Sequence, residues 1–83
     1  MKKIKLMLNQ IELAKKFNSI VTQYDFDMDI ERDRYIVDAK SVLGLFSLDL
    51  SKPIILAVYT DNEEVLTELT NKLQDAGIEI LKK

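Results

Sequence analysis

No histidine and no cysteine occur anywhere in the 83 residues. Without an imidazole a Ser-His-Asp nucleophile is excluded. Without cysteine there is no disulfide framework, no thiolate nucleophile and no zinc–thiolate site, and a reducing cytoplasm is the expected compartment. An excess of one charge is lacking too. Twelve basic residues meet 14 acidic ones, a net of −2, which leaves no electrostatic footprint for nucleic acid or for a membrane surface. No apolar run nears the ~20 residues of a membrane span. The Met-Lys-Lys opening is followed by alternation, unlike the unbroken apolar block of a signal peptide. Linkers, repeats and low-complexity segments are missing, so residues 1–83 read as one domain with a small core. P-loop and dinucleotide motifs are missing as well, and neither a cofactor nor a metal is expected.

What the chain does have is periodicity. Ile4-Lys5-Leu6-Met7-Leu8 alternates as a first strand with Ile4, Leu6 and Leu8 inward. Asn9 offers an N-cap and Glu12 the reciprocal carboxylate of a capping box. Ile11, Ala14, Phe17, Ile20, Val21 and Tyr24, joined by Leu13, then form the apolar stripe of a helix of about four turns. Phe26 to Glu31 alternates strictly, as a strand with one wet face does, and Tyr35 to Ala39 supplies its partner. Pairing Ile30 with Val37 and Met28 with Ala39 puts the turn at Asp33-Arg34. A two-residue turn wants positive φ, for which Arg34 is poorly suited, so a wider loop is expected.

Past Ser51-Lys52-Pro53, Ile54 to Tyr59 is a nearly continuous apolar strand suited to the middle of a sheet. Asp61 with Glu64 reads as a second capping box, Val65, Leu66, Leu69, Leu73 and Ala76 as a helical stripe, and Gly77 as its stop. Ile78 to Leu81 fits either a short extra strand or a packed tail. The order β-α-β-β-α-β-α gives an α+β fold in two layers, with the first and third helices on one face of a four-stranded antiparallel sheet. Asp27, Asp29 and Glu31 then point into water from the other face. With Asp38 they read as an ordinary wet surface, since they lack any calcium-loop pattern.

Between the third and fourth strands lies the most distinctive stretch. Ser41 opens a helix in which Val42, Leu43, Leu45, Phe46, Leu48 and Leu50 span roughly 220° of arc, about twice what one core contact needs. If Leu45 and Leu48 face the core, Val42, Leu43 and Phe46 form an exposed apolar patch. The same arc also fits a helix buried all round. The run Ala39-Lys40-Ser41-Val42-Leu43-Gly44-Leu45-Phe46-Ser47-Leu48 resembles the segment around the regulatory serine of HPr, the histidine-containing phosphocarrier of the bacterial sugar phosphotransferase system. There a strand ending in Ala-Lys-Ser leads into an Ile/Val-Met/Leu-Gly-Leu/Val-x-Ser-Leu helix. The resemblance extends over nearly the whole chain. It implies an HPr-like open-faced β-sandwich with strand order 1-4-2-3.

In that family the phosphoryl group is carried by a histidine at the start of the first helix, with an arginine two residues on. The motif His-x-Arg-Pro-Ala falls on Gln10-Ile11-Glu12-Leu13-Ala14, where only the alanine matches. A carboxamide nitrogen is no nucleophile at neutral pH, and Glu12 reverses the charge of the arginine. What the resemblance implies is therefore a relative with a lost phosphocarrier site at Gln10 and Glu12. Glutamine in the histidine's place also occurs in the Crh branch of the family, which keeps the serine and acts in catabolite repression through protein contacts; Glu12 and Leu13 depart from that branch.

The expected function is a regulatory, protein-interaction module, not an enzyme. The Gln10 helix start together with Val42, Leu43 and Phe46 would dock a protein partner: an enzyme I-like protein, a kinase or a transcriptional regulator of the phosphotransferase system. Ser41 caps its helix on either reading. By resemblance it is also a candidate phosphorylation site, which gives the alternative of a component regulated at Ser41, with Lys40 a possible neighbour of the phosphate. A small ligand-binding or enzymatic domain is a third class, for which no catalytic constellation is visible.

Overall fold

The alternating and three-four-spaced segments become eight elements: β1 (Lys2–Met7), α1 (Ile11–Val21), β2 (Met28–Arg32), β3 (Tyr35–Asp38), α2 (Val42–Phe46), β4 (Ile54–Val58), α3 (Glu63–Asp75) and β5 (Glu79–Leu81). The structure is a computed structural model that describes residues 1–81. Lys82 and Lys83, the end of the expected tail, lie outside the described residues.

The apolar run of β4 takes the centre of the sheet, where Ile54, Leu56, Ala57 and Val58 are all buried. It pairs antiparallel with β1 on one side and β2 on the other, and the full order is β3-β2-β4-β1-β5. The expected four-strand order is contained in this, but the sheet has five strands. Gly77, at φ 92°, ends α3 in a Schellman turn: its amide donates to the Gln74 carbonyl and the Ile78 amide to that of Leu73. With Ile78 buried, the chain is turned back along the free edge of β1, where Lys5, Leu6 and Met7 pair with Leu81, Ile80 and Glu79.

Both long helices cover one face. Ala14, Phe17 and Val21 of α1 and Leu66, Leu69 and Leu73 of α3 close over Leu6, Ile30 and Leu56. Ile11, expected in this stripe, is instead 62% exposed, because α1 begins at that residue, before its first turn reaches the core. The helix also ends at Val21, three turns on, with half-buried Tyr24 in the loop beyond.

Several local expectations are corrected. Asn9 is not the cap of α1: it takes φ 46°, and Gln10 occupies the cap position with no side-chain cap bond, so the Asn9–Glu12 box does not form. Asn62, not Asp61, caps α3, its Oδ1 accepting from the amides of Glu64 and Val65 at 3.0 and 3.2 Å. Asp61 instead meets the N-terminal ammonium at 3.2 Å. The β2–β3 turn does not widen either, since Arg32 pairs with Tyr35 across Asp33 and Arg34. The positive φ, 53°, falls on Asp33, a residue type that tolerates it, and Arg34 is spared.

Candidate functional site

Ser41 lies in extended conformation, and its Oγ accepts from the Gly44 amide at 3.2 Å, which starts α2. The helix is only five residues long. Ser47 stops it: its Oγ donates to the Gly44 carbonyl at 2.6 Å, and the Leu48 amide donates to Leu45 at 3.2 Å. Asp49 then accepts from both the amide and the hydroxyl of Ser51, which turns the chain toward β4. Leu45 is the one residue of α2 that is fully buried. Leu48 and Leu50, expected on the helix, lie half-buried in the loop beyond it and pack against the core. Leu48 is thus a weaker anchor than Leu45.

Too short to be wrapped, α2 leaves one of its remaining apolar side chains mostly in water and two partly exposed. Leu43 is 81% exposed, Val42 40% and Phe46 41%. The start of α1 is tied to the same region, since the Asn9 amide donates to the Leu50 carbonyl at 2.9 Å. Gln10 is exposed there, followed by Ile11. The three- and four-residue spacing of the stripe places Ile11 in the core. The signal that places it on the surface is its position as the first helical residue. Glu12 is exposed in the first turn of α1, where the helix dipole favours a carboxylate and would oppose nothing but a second anion.

Lys40 does not face Ser41. Its ammonium donates to the Tyr24 carbonyl beyond the end of α1, and its own carbonyl accepts from Asn18 Nδ2 at 3.0 Å. Its backbone amide is held by Asp38 Oδ1 at 2.9 Å. The cation nearest to Ser41 in sequence is therefore occupied in docking β3 against α1.

On the opposite face of the sheet the carboxylates are engaged individually. Glu31 pairs with Lys3 at 3.0 Å, and Asp29 accepts from the Tyr59 hydroxyl at 2.9 Å, a bond that pushes the tyrosine's pKa up. A surface groove of about 480 Å³ follows β1 and β5, lined by Ile4, Ile55, Ile80 and Leu81 among others, and a smaller one of about 410 Å³ lies at the end of α2, between Val37, Ser47 and Leu48. Among the described residues no helix is long and apolar enough to cross a membrane.

Solved structures with this arrangement include HPr-C-His from Thermoanaerobacter tengcongensis, with a TM-score of 0.71 and 25% identity over 92% of this chain and 94% of that one. The phosphocarrier protein HPr from Bacillus anthracis str. Ames gives 0.63 and 27%, covering 86% and 92% of the two chains. Crh of Bacillus subtilis, a catabolite repression protein whose crystal structure revealed a swapped, intertwined dimer, gives 0.60 and 28%, covering 94% and 88%. No protein-family model and no curated protein matches the chain.

Proposed function

We propose that this chain, which has the HPr-family fold, is a protein-docking module of the phosphotransferase system that no longer carries phosphate on histidine. The observation that carries the reading is chemical: the chain contains no histidine, and the start of α1 presents Gln10 with Glu12 behind it. A site that lacks its nucleophile but keeps an exposed apolar surface beside it is suited to binding. Val42, Leu43 and Phe46 supply that surface, and Ile11 is a further exposed apolar side chain at the start of α1. An enzyme I-like protein, a kinase or a transcriptional regulator of the system is the partner class. Its apolar side chains would gain roughly 25 cal/mol for each Å² of this patch removed from water.

The test is incubation with enzyme I and labelled phosphoenolpyruvate. No label is expected on this chain, and acid-labile label would overturn the reading. Gln10→His alone is expected to restore little transfer, because the Glu12 carboxylate would still repel the phosphoryl group.

A second reading has Ser41 as a regulatory phosphorylation site, favoured by its place immediately before Val42 and Leu43. A phosphate there would change docking on the adjacent patch by charge alone. Incubation with a phosphotransferase-system kinase distinguishes it: acid-stable label lost in Ser41→Ala supports it, and its absence removes it.

A further inference from the structure

The face of the sheet turned away from the helices carries a row of side chains that reads from either end as apolar residues alternating with charges, with the two signs exchanged. The strand registers align Ile36 with Glu31, Glu31 with Ile55, Ile55 with Lys5, and Lys5 with Leu81. Five residues, one per strand, thus cross the sheet side by side. Their chain neighbours Leu6, Ile30 and Leu56 are buried under the helices, so the row projects from the opposite face. Across β3-β2-β4-β1-β5 it runs apolar, acidic, apolar, basic, apolar. Two residues along the strands, Asp29, Ala57 and Lys3 repeat the acidic–apolar–basic core of the pattern. Ile36 is 68% exposed, and Lys5 is exposed with no ion pair among the described residues.

We propose that this face is the contact of a symmetric dimer whose second member is another copy of this chain. A two-fold axis that lies between two stacked sheets, parallel to the strands and over β4, preserves position along a strand and exchanges its two sides. It sets Lys5 against the second copy's Glu31 and Glu31 against its Lys5. Ile55 meets Ile55, and Ile36 meets Leu81. In the next row Lys3 meets Asp29, while Ala57 between them is buried within its own chain and makes no contact. Aligned sheets cross at about 30°. That angle shifts the outer Ile36–Leu81 pair, about 10 Å from the axis, by about 5 Å, and leaves the central charged pairs in reach.

A partner of single charge fits this face badly. Asp27, Asp29, Glu31 and Asp38 gather on the β2–β3 side while Lys3 and Lys5 stand on β1, so a polyanion or a polycation is attracted by one half and repelled by the other. A second copy brings both signs in the opposite order. Glu79, beside Met7 on β5, is an acid on the basic side. Within a single chain Glu31 already pairs with Lys3 and Asp29 with Tyr59, so these bonds compete with those of the dimer. The area is modest as well. Five strands ~4.8 Å apart and about five residues deep make a face of roughly 400 Å², about half of what each partner of a standard interface buries. The dimer is of the weak, concentration-dependent class.

Because the face lies across the sheet from α1 and α2, the test needs no phosphotransferase-system protein and its outcome is independent of the proposed function. Sedimentation velocity across a concentration series at low salt is expected to show reversible dimerisation that weakens as salt is added. Lys5→Glu and Glu31→Lys each place like charges opposite one another and are expected to weaken association about tenfold or more. An equimolar mixture of the two variants regains it, because each supplies the charge the other lacks. Should Glu31→Lys fail to fold for want of the Lys3 pair, Lys5→Glu and the salt series decide the matter. A chain that stays monomeric throughout the series overturns the proposal. So does a dimer indifferent to salt and to both reversals, as one formed by strand exchange would be.

Discussion

Helices α2 and α3 are both rich in apolar side chains, yet the fold treats them in opposite ways. α3 runs for 13 residues and buries Leu66, Leu69 and Leu73. It is capped by Asn62 at one end and by the Gly77 turn at the other. A polar cluster also fastens it to the end of α1: the Tyr24 hydroxyl donates to Glu68 at 2.7 Å, and Lys72 reaches Gln23 at 3.1 Å while lying 5.4 Å from the centre of the Tyr24 ring. α2 has five residues, one buried leucine and a single serine cap. The difference teaches that apolar content alone does not determine burial. A helix must be long enough to turn its stripe onto the sheet, and α2 ends before it does.

The largest effect that sharpens this contrast is in the core. Leu69→Ala, at a fully buried position under α3, is expected to cost about 2–5 kcal/mol in denaturant melts. Leu48→Ala, half-buried beyond α2, is expected to cost about half of that or less. Equal losses would mean that the α2 region is anchored as firmly as α3.

The two glycines provide a smaller and oppositely signed pair. Gly77 sits at φ 92°, so Gly77→Ala strains the backbone and is expected to destabilise by about 1–2 kcal/mol. Gly44 is helical, and an added Cβ there would meet Ser41 Oγ and Val37 Cβ at 3.4 Å, which is ordinary contact. Gly44→Ala is therefore expected to be neutral or to stabilise α2 by up to about 1 kcal/mol. Thermal melts of both variants check the signs.

The polar cluster on α3 is read by pH. Burial, then the hydrogen bond to Glu68 and its charge, push the Tyr24 hydroxyl up from 10.0 to about 12. A raised folded-state value means that the stabilisation is complete below pH 10 and is lost as pH climbs toward 12. Glu68 is held below the ordinary carboxylate range, first by the bond from Tyr24 and then by Lys72, so its contribution is lost at the acid end as pH falls through that lowered value. Tyr24→Phe is expected to flatten the alkaline arm in part, leaving the share of Tyr59, whose hydroxyl is also pushed up by Asp29. An unchanged alkaline profile in Tyr24→Phe would remove the cluster from the account.

Much of this was legible in the sequence, for identifiable reasons. The unbroken apolar run at Ile54–Val58 announced a central strand, and the Ile30–Val37 pairing followed from alternation alone. The caps were misplaced by one residue, because Asn9–Gln10 and Asp61–Asn62 each offer two adjacent candidates and only backbone dihedrals decide between them. The three residues of β5 carry too little periodicity to distinguish a strand from a tail. Around the site, the sequence showed the missing histidine and an overly wide apolar arc. It did not show that α2 stops at Phe46, which depends on the Ser47 hydroxyl and the Asp49–Ser51 turn. Nor did it show that Lys40 turns toward α1, a contact between segments 16 residues apart.

On the function proposed above, the exposed side of α2 docks a protein of the phosphotransferase system. The direct measurement is capture of binding proteins from the soluble extract of its source cells, comparing the unsubstituted chain with Phe46→Asp and identifying what is retained by mass spectrometry. A melt of the same Phe46→Asp sample is expected to show a loss well below that of Leu69→Ala, because Phe46 is 41% exposed and Leu69 is fully buried. The unsubstituted chain is expected to retain an enzyme I-like protein, a kinase or a regulator of the system, and Phe46→Asp to lose it, since a carboxylate would be desolvated there without a counter-charge. Retention of the same partner by a well-folded Phe46→Asp would contradict the account, as would a retained set that includes no protein of that system.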